Sequence, residues 1–194
     1  MRHLIIIAIG IIVSSSVCAA AEDESQFDCY LFGKAELTDS KAPSFNAYKV
    51  AEEPAFVAAP LNLKSNPIAR SYKTALRRGI QSGPNFAGHY ALVVWGCGSS
   101  CADFAVVDLK NGSAINIPGV TSISGVRLNA DADEFLKEGY HDVWGFRYKL
   151  SSNLLVLVGT INEDNSRQGA FYYALSGNVF KLIHTTSFHT KCKG

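Results

Sequence analysis

Between Ser65 and Gly83 the apolar residues Ile68, Tyr72, Leu76 and Ile80 recur every four positions, with Arg70, Lys73, Arg77 and Arg78 between them. That period draws one apolar stripe along a helix. Ser65 or Asn66 can cap it, Pro67 stands near the first helical position where its missing N–H does no harm, and Gly79 and Gly83 mark its end. The spacing predicts an amphipathic helix over 65–82 with one face against a sheet. Beyond Pro84 the pattern changes to short runs rich in valine, isoleucine and aromatic residues. His89–Trp95, Phe104–Leu109, Ser113–Ile117, Val143–Leu150, Leu154–Ile161, Ala170–Leu175 and Val179–Thr185 read as strands. Asn111-Gly112 is the strongest hairpin signal, and Ser151-Ser152-Asn153 and Gly177-Asn178 supply further turns. Gly119 to Asp133 reads as turn-rich, and Glu134 to Gly139 as a helical turn.

The strand region rhymes with itself. Tyr90–Trp95, a polar loop, Phe104–Leu109, Asn111-Gly112 and Ser113–Ile117 form one unit; Leu154–Gly159, a polar loop, Phe171–Leu175, Gly177-Asn178 and Val179–Ile183 form a second. Two such units cannot close a propeller, which typically takes 4–8 blades. The expected fold is therefore mainly β with one helix, an antiparallel meander forming a sandwich or a barrel-like sheet.

The beginning of the chain reads differently. Arg2, the apolar run Leu4–Val13 and the small residues Ala19, Ala20 and Ala21 make a three-part secretory leader, with cleavage expected after Ala21. The run is too short to span a bilayer. Cys18 lacks the preceding residues of a lipoprotein signal, since Ser15 and Val17 stand where leucine and a small residue belong. Residues 22–64 carry short aromatic groups without period, such as Tyr30, Phe32, Phe45 and Phe56, broken by Pro43, Pro54 and Pro60. They read as an irregular arm packed on the core, and residues 65–194 as a single β-rich globular unit. Of the 194 residues, 173 remain after cleavage, with 17 basic and 17 acidic residues once Arg2 is lost. A neutral chain whose basic groups gather only at Arg77-Arg78 has no electrostatic case for nucleic acid or an anionic membrane.

Cys29, Cys97, Cys101 and Cys192 survive cleavage, an even set in an exported chain. Gly96 and Gly98 bracket Cys97, and Gly98-Ser99-Ser100 bend easily enough to bring Cys97 to Cys101. Cys29 and Cys192 are then left to each other and would clamp the arm to the last strand. The two distinctive segments Asn85-Phe86-Ala87-Gly88-His89-Tyr90 and Trp95-Gly96-Cys97-Gly98-Ser99-Ser100-Cys101 are followed by Val107-Asp108-Leu109-Lys110-Asn111-Gly112. This run resembles that of a group of small exported bacterial proteins with no assigned activity. The resemblance implies an exported β-rich domain and brings no catalytic residue with it.

Candidate functional residues are His89, Tyr90 and Trp95, in or beside that run. His89 with a cysteine would make a base and nucleophile, but bridged cysteines leave it as a structural histidine. His184, His189 and Cys192 have metal-like spacing but give three ligands only, one of them claimed by a disulfide. Asp131, Asp133 and Glu134, and Glu163 with Asp164, lack calcium-loop spacing and read as solvated turns. His141 and Asp142 are adjacent and point to opposite strand faces. No metal or cofactor is expected. The function expected is that of an exported, non-enzymatic binding protein, periplasmic or secreted, of the inhibitor, immunity or envelope-accessory type. Its partner would be another envelope or secreted protein. The alternative is a small hydrolase with His89 in a site assembled in three dimensions.

Overall fold

The computed structural model describes residues 39–53, 56–125 and 145–188. The leader, Cys18, the Cys29–Cys192 pair, the turn at 134–139, His141, Asp142 and His189 lie outside them. Apolar residues at successive positions of a strand point to opposite faces, so an unbroken run needs cover on both sides. That is what the strands receive. Eight of them, β1 (Tyr90–Gly98), β2 (Cys101–Asp108), β3 (Ser113–Ile115), β4 (Ser122–Ser124), β5 (Phe146–Lys149), β6 (Ser152–Ile161), β7 (Gln168–Ser176) and β8 (Val179–Ser187), make one antiparallel sheet. Its order is β1-β2-β4-β6-β7-β8, with β3 also on β2 and β5 also on β6. The sheet is open, with β1 and β8 at its ends.

The two sequence units become two meanders, β1-β2-β3 and β6-β7-β8, joined through β4. Their inner faces share one core: Tyr90, Leu92, Phe104 and Val106 from the first meet Leu155, Leu157, Phe171 and Tyr173 from the second, with Phe86 and Phe146 fully buried. Each outer face has its own cover. Over the first meander, Ala69 and Leu76 of the helical segment pack on Ala91, Val93, Ala105 and Val107. Over the second, Ala42, Phe45 and Tyr48 of the arm pack on Leu154, Val156, Val158 and Tyr172.

The helix forms where expected but in two pieces, α1 (Pro67–Ser71) and α2 (Lys73–Gln81). Asn66 is the cap, its side chain accepting from the Ile68 N–H. Tyr72 interrupts the helix at φ −116° and ψ 30°, and its ring leaves the expected stripe to lie 4.5 Å from that of Trp95. Its hydroxyl donates to Asp103 Oδ2 at 3.1 Å. Gly79 lets α2 approach the sheet, since a Cβ there would overlap the Val93 side chain.

Two features depart from the sequence reading. Ser122-Ile123-Ser124, inside a stretch expected to be turns, forms β4 because β2 and β6 flank it and Ile123 is fully buried. In the arm, where the sequence allows one or two short strands, the described residues form a 3-10 turn at Phe45–Tyr48 and isolated bridges instead. The arm is tied down by backbone, with the Val50 N–H donating to Ser151 O and the Ala59 N–H to Leu109 O. The Cys97–Cys101 disulfide forms as expected, with Cα atoms 5.2 Å apart, and closes the β1–β2 hairpin.

Candidate functional site

The segment 85–90 is a presenting loop in which each residue has a mechanical part. Asn85 clamps the first strand, its Oδ1 accepting from the Leu92 N–H at 2.7 Å and its Nδ2 donating to Leu92 O at 3.0 Å. Phe86 anchors the loop in the core, and the Tyr90 N–H returns to Phe86 O at 2.9 Å. Between them Ala87 and Gly88 both take positive φ, 45° and 82°. An alanine in that region costs about 1–3 kcal/mol and persists only where the surroundings hold it, a condition met often at functional sites. Here the Ala87 and Gly88 N–H groups donate to Lys149 O and Leu150 O. Glycine is required at 88 because a Cβ would lie 2.6 Å from the Ala51 carbonyl. The turn sets His89 just ahead of β1, at the seam between sheet and arm.

The second half of the motif arrives by hairpin register. Tyr90 lies opposite Asp108, the last residue of β2. Asp108 is buried and organises the turn after it: Oδ1 accepts from the Lys110 N–H at 2.9 Å and Oδ2 from the Asn111 amide at 2.7 Å. Asp108 Oδ1 also lies 3.5 Å from His89 Nε2. The other ring nitrogen, Nδ1, lies 2.8 Å from Oε1 of Glu53, which belongs to the arm. Lys110 Nζ closes the set at 2.6 Å from Glu53 Oε2. Three separate parts of the chain thus build a row Asp108–His89–Glu53–Lys110.

The Lys110 hydrogen bond, followed by the charge of His89, holds the Glu53 carboxyl below its ordinary range, although partial desolvation opposes this. Both neighbours of the imidazole are carboxylates, Glu53 at hydrogen-bond distance and Asp108 at ion-pair distance. Tyr90 stacks on the imidazole with centroids 4.2 Å apart and donates its hydroxyl to Gly177 O at 3.1 Å. Burial, then the charges of Asp108 and Glu53, push its phenol above the ordinary value. A cavity of about 410 Å³ opens beside this row, walled by Val50, Ala51 and Glu53 of the arm, by Ala87, His89 and Tyr90, and by Asn153 and Leu175–Gly177.

His89 and Tyr90 are therefore brought together, while Trp95 stands apart. It lies farther along β1, packed on the helix side with Tyr72. Asp108 and Lys110 lie in the distinctive Val107–Gly112 segment but are not candidates from sequence by themselves, and Glu53 lies in no marked segment. Folding the hairpin about Ser99-Ser100 places Asp108 beside Tyr90, and that signal was available. Glu53 comes from the aperiodic arm and carried no local signal. His184 Nε2 pairs with Asp39 Oδ2 at 2.7 Å, and its companions in the sequence cluster, His189 and Cys192, lie outside the described residues. The ligand atoms of Cys97, Cys101 and Asp103 lie within 4.8 Å of one another, but the two sulfurs are spent on each other in the disulfide. Comparison with family models, with curated proteins and with solved structures found no match.

Proposed function

We propose that this chain is an exported, non-enzymatic binding protein of the bacterial envelope, of the inhibitor, immunity or accessory kind, and that it meets its partner at the His89 cleft. The observation that carries the reading is the double engagement of the imidazole, with Glu53 at 2.8 Å from Nδ1 and Asp108 at 3.5 Å from Nε2. A general base needs a nitrogen turned toward a substrate or nucleophile. Both nitrogens of His89 face carboxylates, and among the described residues no serine, threonine or cysteine side chain is hydrogen-bonded to the ring. A row in which carboxylates alternate with an imidazole and an ammonium group, fixed beside Val50, Ala51 and Leu175, suits recognition of another surface. Export rests on the three-part leader, and the Cys97–Cys101 bridge agrees with an oxidising compartment.

One observation favours the second reading, a small hydrolase: a carboxylate within hydrogen-bond reach of a histidine in an open cleft. A broad hydrolase screen of wild type and His89→Ala separates the two. The binding reading expects no turnover from either protein. Turnover by wild type that vanishes in a normally folded His89→Ala would reverse the order.

A further inference from the structure

We propose that the His89 cleft takes a cationic side chain, a lysine or arginine that the partner presents on its aliphatic stem. The occupant presupposes the binding reading of the same cleft and adds the charge and shape of the group that enters.

The side chains that wall the cleft have spent their donors and kept acceptors. Tyr90 gives its hydroxyl proton to Gly177 O at 3.1 Å, which leaves the lone pairs of its oxygen. Asn153 gives Nδ2 to Leu175 O at 2.7 Å, and its Oδ1 is left, out of solvent, without a hydrogen-bond partner. Both ring nitrogens of His89 face carboxylates, Glu53 at 2.8 Å and Asp108 at 3.5 Å. Glu53 itself offers only acceptors. His89 Nδ1 and Lys110 Nζ occupy part of a carboxylate that receives up to about four bonds. Only the exposed Ser176 hydroxyl can serve either way. A ligand for this wall has to bring donors.

Charge points the same way. Glu53 lines the cleft, and among the described residues no lysine or arginine does. Behind the imidazole lies Asp108, whose side chain is 8% exposed and whose hydrogen-bond donors, the Lys110 N–H and the Asn111 amide, are neutral. Lys110 Nζ is the counter-ion of Glu53, but its side chain is 51% exposed and stands outside the wall. Solvent therefore screens the ammonium more than it screens the buried carboxylate. Burial, then the charges of Asp108 and Glu53, raise the Tyr90 phenol, and a potential that opposes an anion there favours a cation. Val50, Ala51 and Leu175 give apolar surface for an aliphatic stem. The volume of about 410 Å³ is in the lower part of the range for small-molecule sites, roughly 300–1,000 Å³, which suits one long side chain.

The test is a titration of the isotope-labelled chain from Glu22 onward with capped glycine-X-glycine peptides, X being lysine, arginine, norleucine or glutamate, followed by amide NMR at low salt. The lysine and arginine peptides should give saturable shifts at 50–53, 87–90, 153 and 175–177, and the other two should bind more weakly. The tighter of the two cationic peptides identifies the side chain. Glu53→Gln should weaken both about tenfold, since a charge-assisted bond becomes a neutral one. Lys110→Gln should tighten both about threefold, because a competing cation is removed while His89 Nδ1 still holds Glu53. Should Glu53→Gln lose the fold, Lys110→Gln decides alone. The hydrolase screen keeps two failures apart: turnover lost in a folded His89→Ala sinks the binding reading, whereas no turnover and no preference for cations sinks the occupant alone. No saturable shift with either cationic peptide, equal binding of the norleucine or glutamate peptide, or an affinity for the cationic peptides that Lys110→Gln leaves unchanged or weakens would overturn the proposal.

Discussion

At Asp108 a single buried carboxylate receives the Lys110 N–H and the Asn111 amide and faces the His89 ring. Removing it takes the acceptor from two part-buried hydrogen bonds, each contributing about 0.5–1.5 kcal/mol net. Asp108→Ala should therefore lower stability by about 2 kcal/mol in denaturant titration, and Asp108→Asn by less, because the amide oxygen still accepts. An unchanged midpoint in Asp108→Ala would mean that the turn after β2 holds itself. Asp39 ties the other end of the arm and gives the expected pH dependence. The Lys41 N–H first, then His184 and Thr186, hold its carboxyl at about 2 against an ordinary 3.8. A depressed acid stabilises the fold above its unfolded value, so this contribution is complete above about pH 4 and is lost as pH falls toward 2. Melting temperatures measured from pH 5 to pH 2 should fall less steeply in Asp39→Asn than in wild type.

Elements with a strong internal pattern were legible before the structure, and those specified by their neighbours were not. The runs at 90–95, 104–109, 154–161 and 170–175 became strands because their own composition suits a sheet buried on both faces. The short β4 has nothing of the kind; three residues with one isoleucine become a strand only because β2 and β6 offer edges on both sides. The helix stripe included Tyr72 by spacing alone, yet its phenol finds Asp103 and its ring finds Trp95, which turns it out of the stripe. Gly79 separates propensity from packing in the same way. In a free helix, glycine to alanine gains up to about 1 kcal/mol. Here the added methyl would overlap Val93, so Gly79→Ala should destabilise by about 1–3 kcal/mol. A rise in melting temperature would show that α2 can slide off the sheet without loss.

Across the whole molecule the repeated unit explains the architecture and the arm explains the site. Two meanders share their inner faces and leave two outer faces; α1 and α2 cover one, and the arm covers the other. The His89 cleft opens along the seam between arm and sheet. The core of the His89 site was half visible in the sequence, because Asn85–Tyr90 and Val107–Gly112 stood out as a pair of segments. Its completion by Glu53, 36 positions from His89, was invisible, because contacts between an aperiodic segment and a distant strand leave no period to read. The same geometry sets the decisive experiment. The chain from Glu22 onward, as wild type and as His89→Ala with its fold checked by circular dichroism, is used as bait in envelope extract and culture fluid, with quantitative mass spectrometry of what each retains. The binding account predicts an envelope or secreted protein held by wild type and depleted severalfold on the folded variant. Equal recovery on both baits would contradict it.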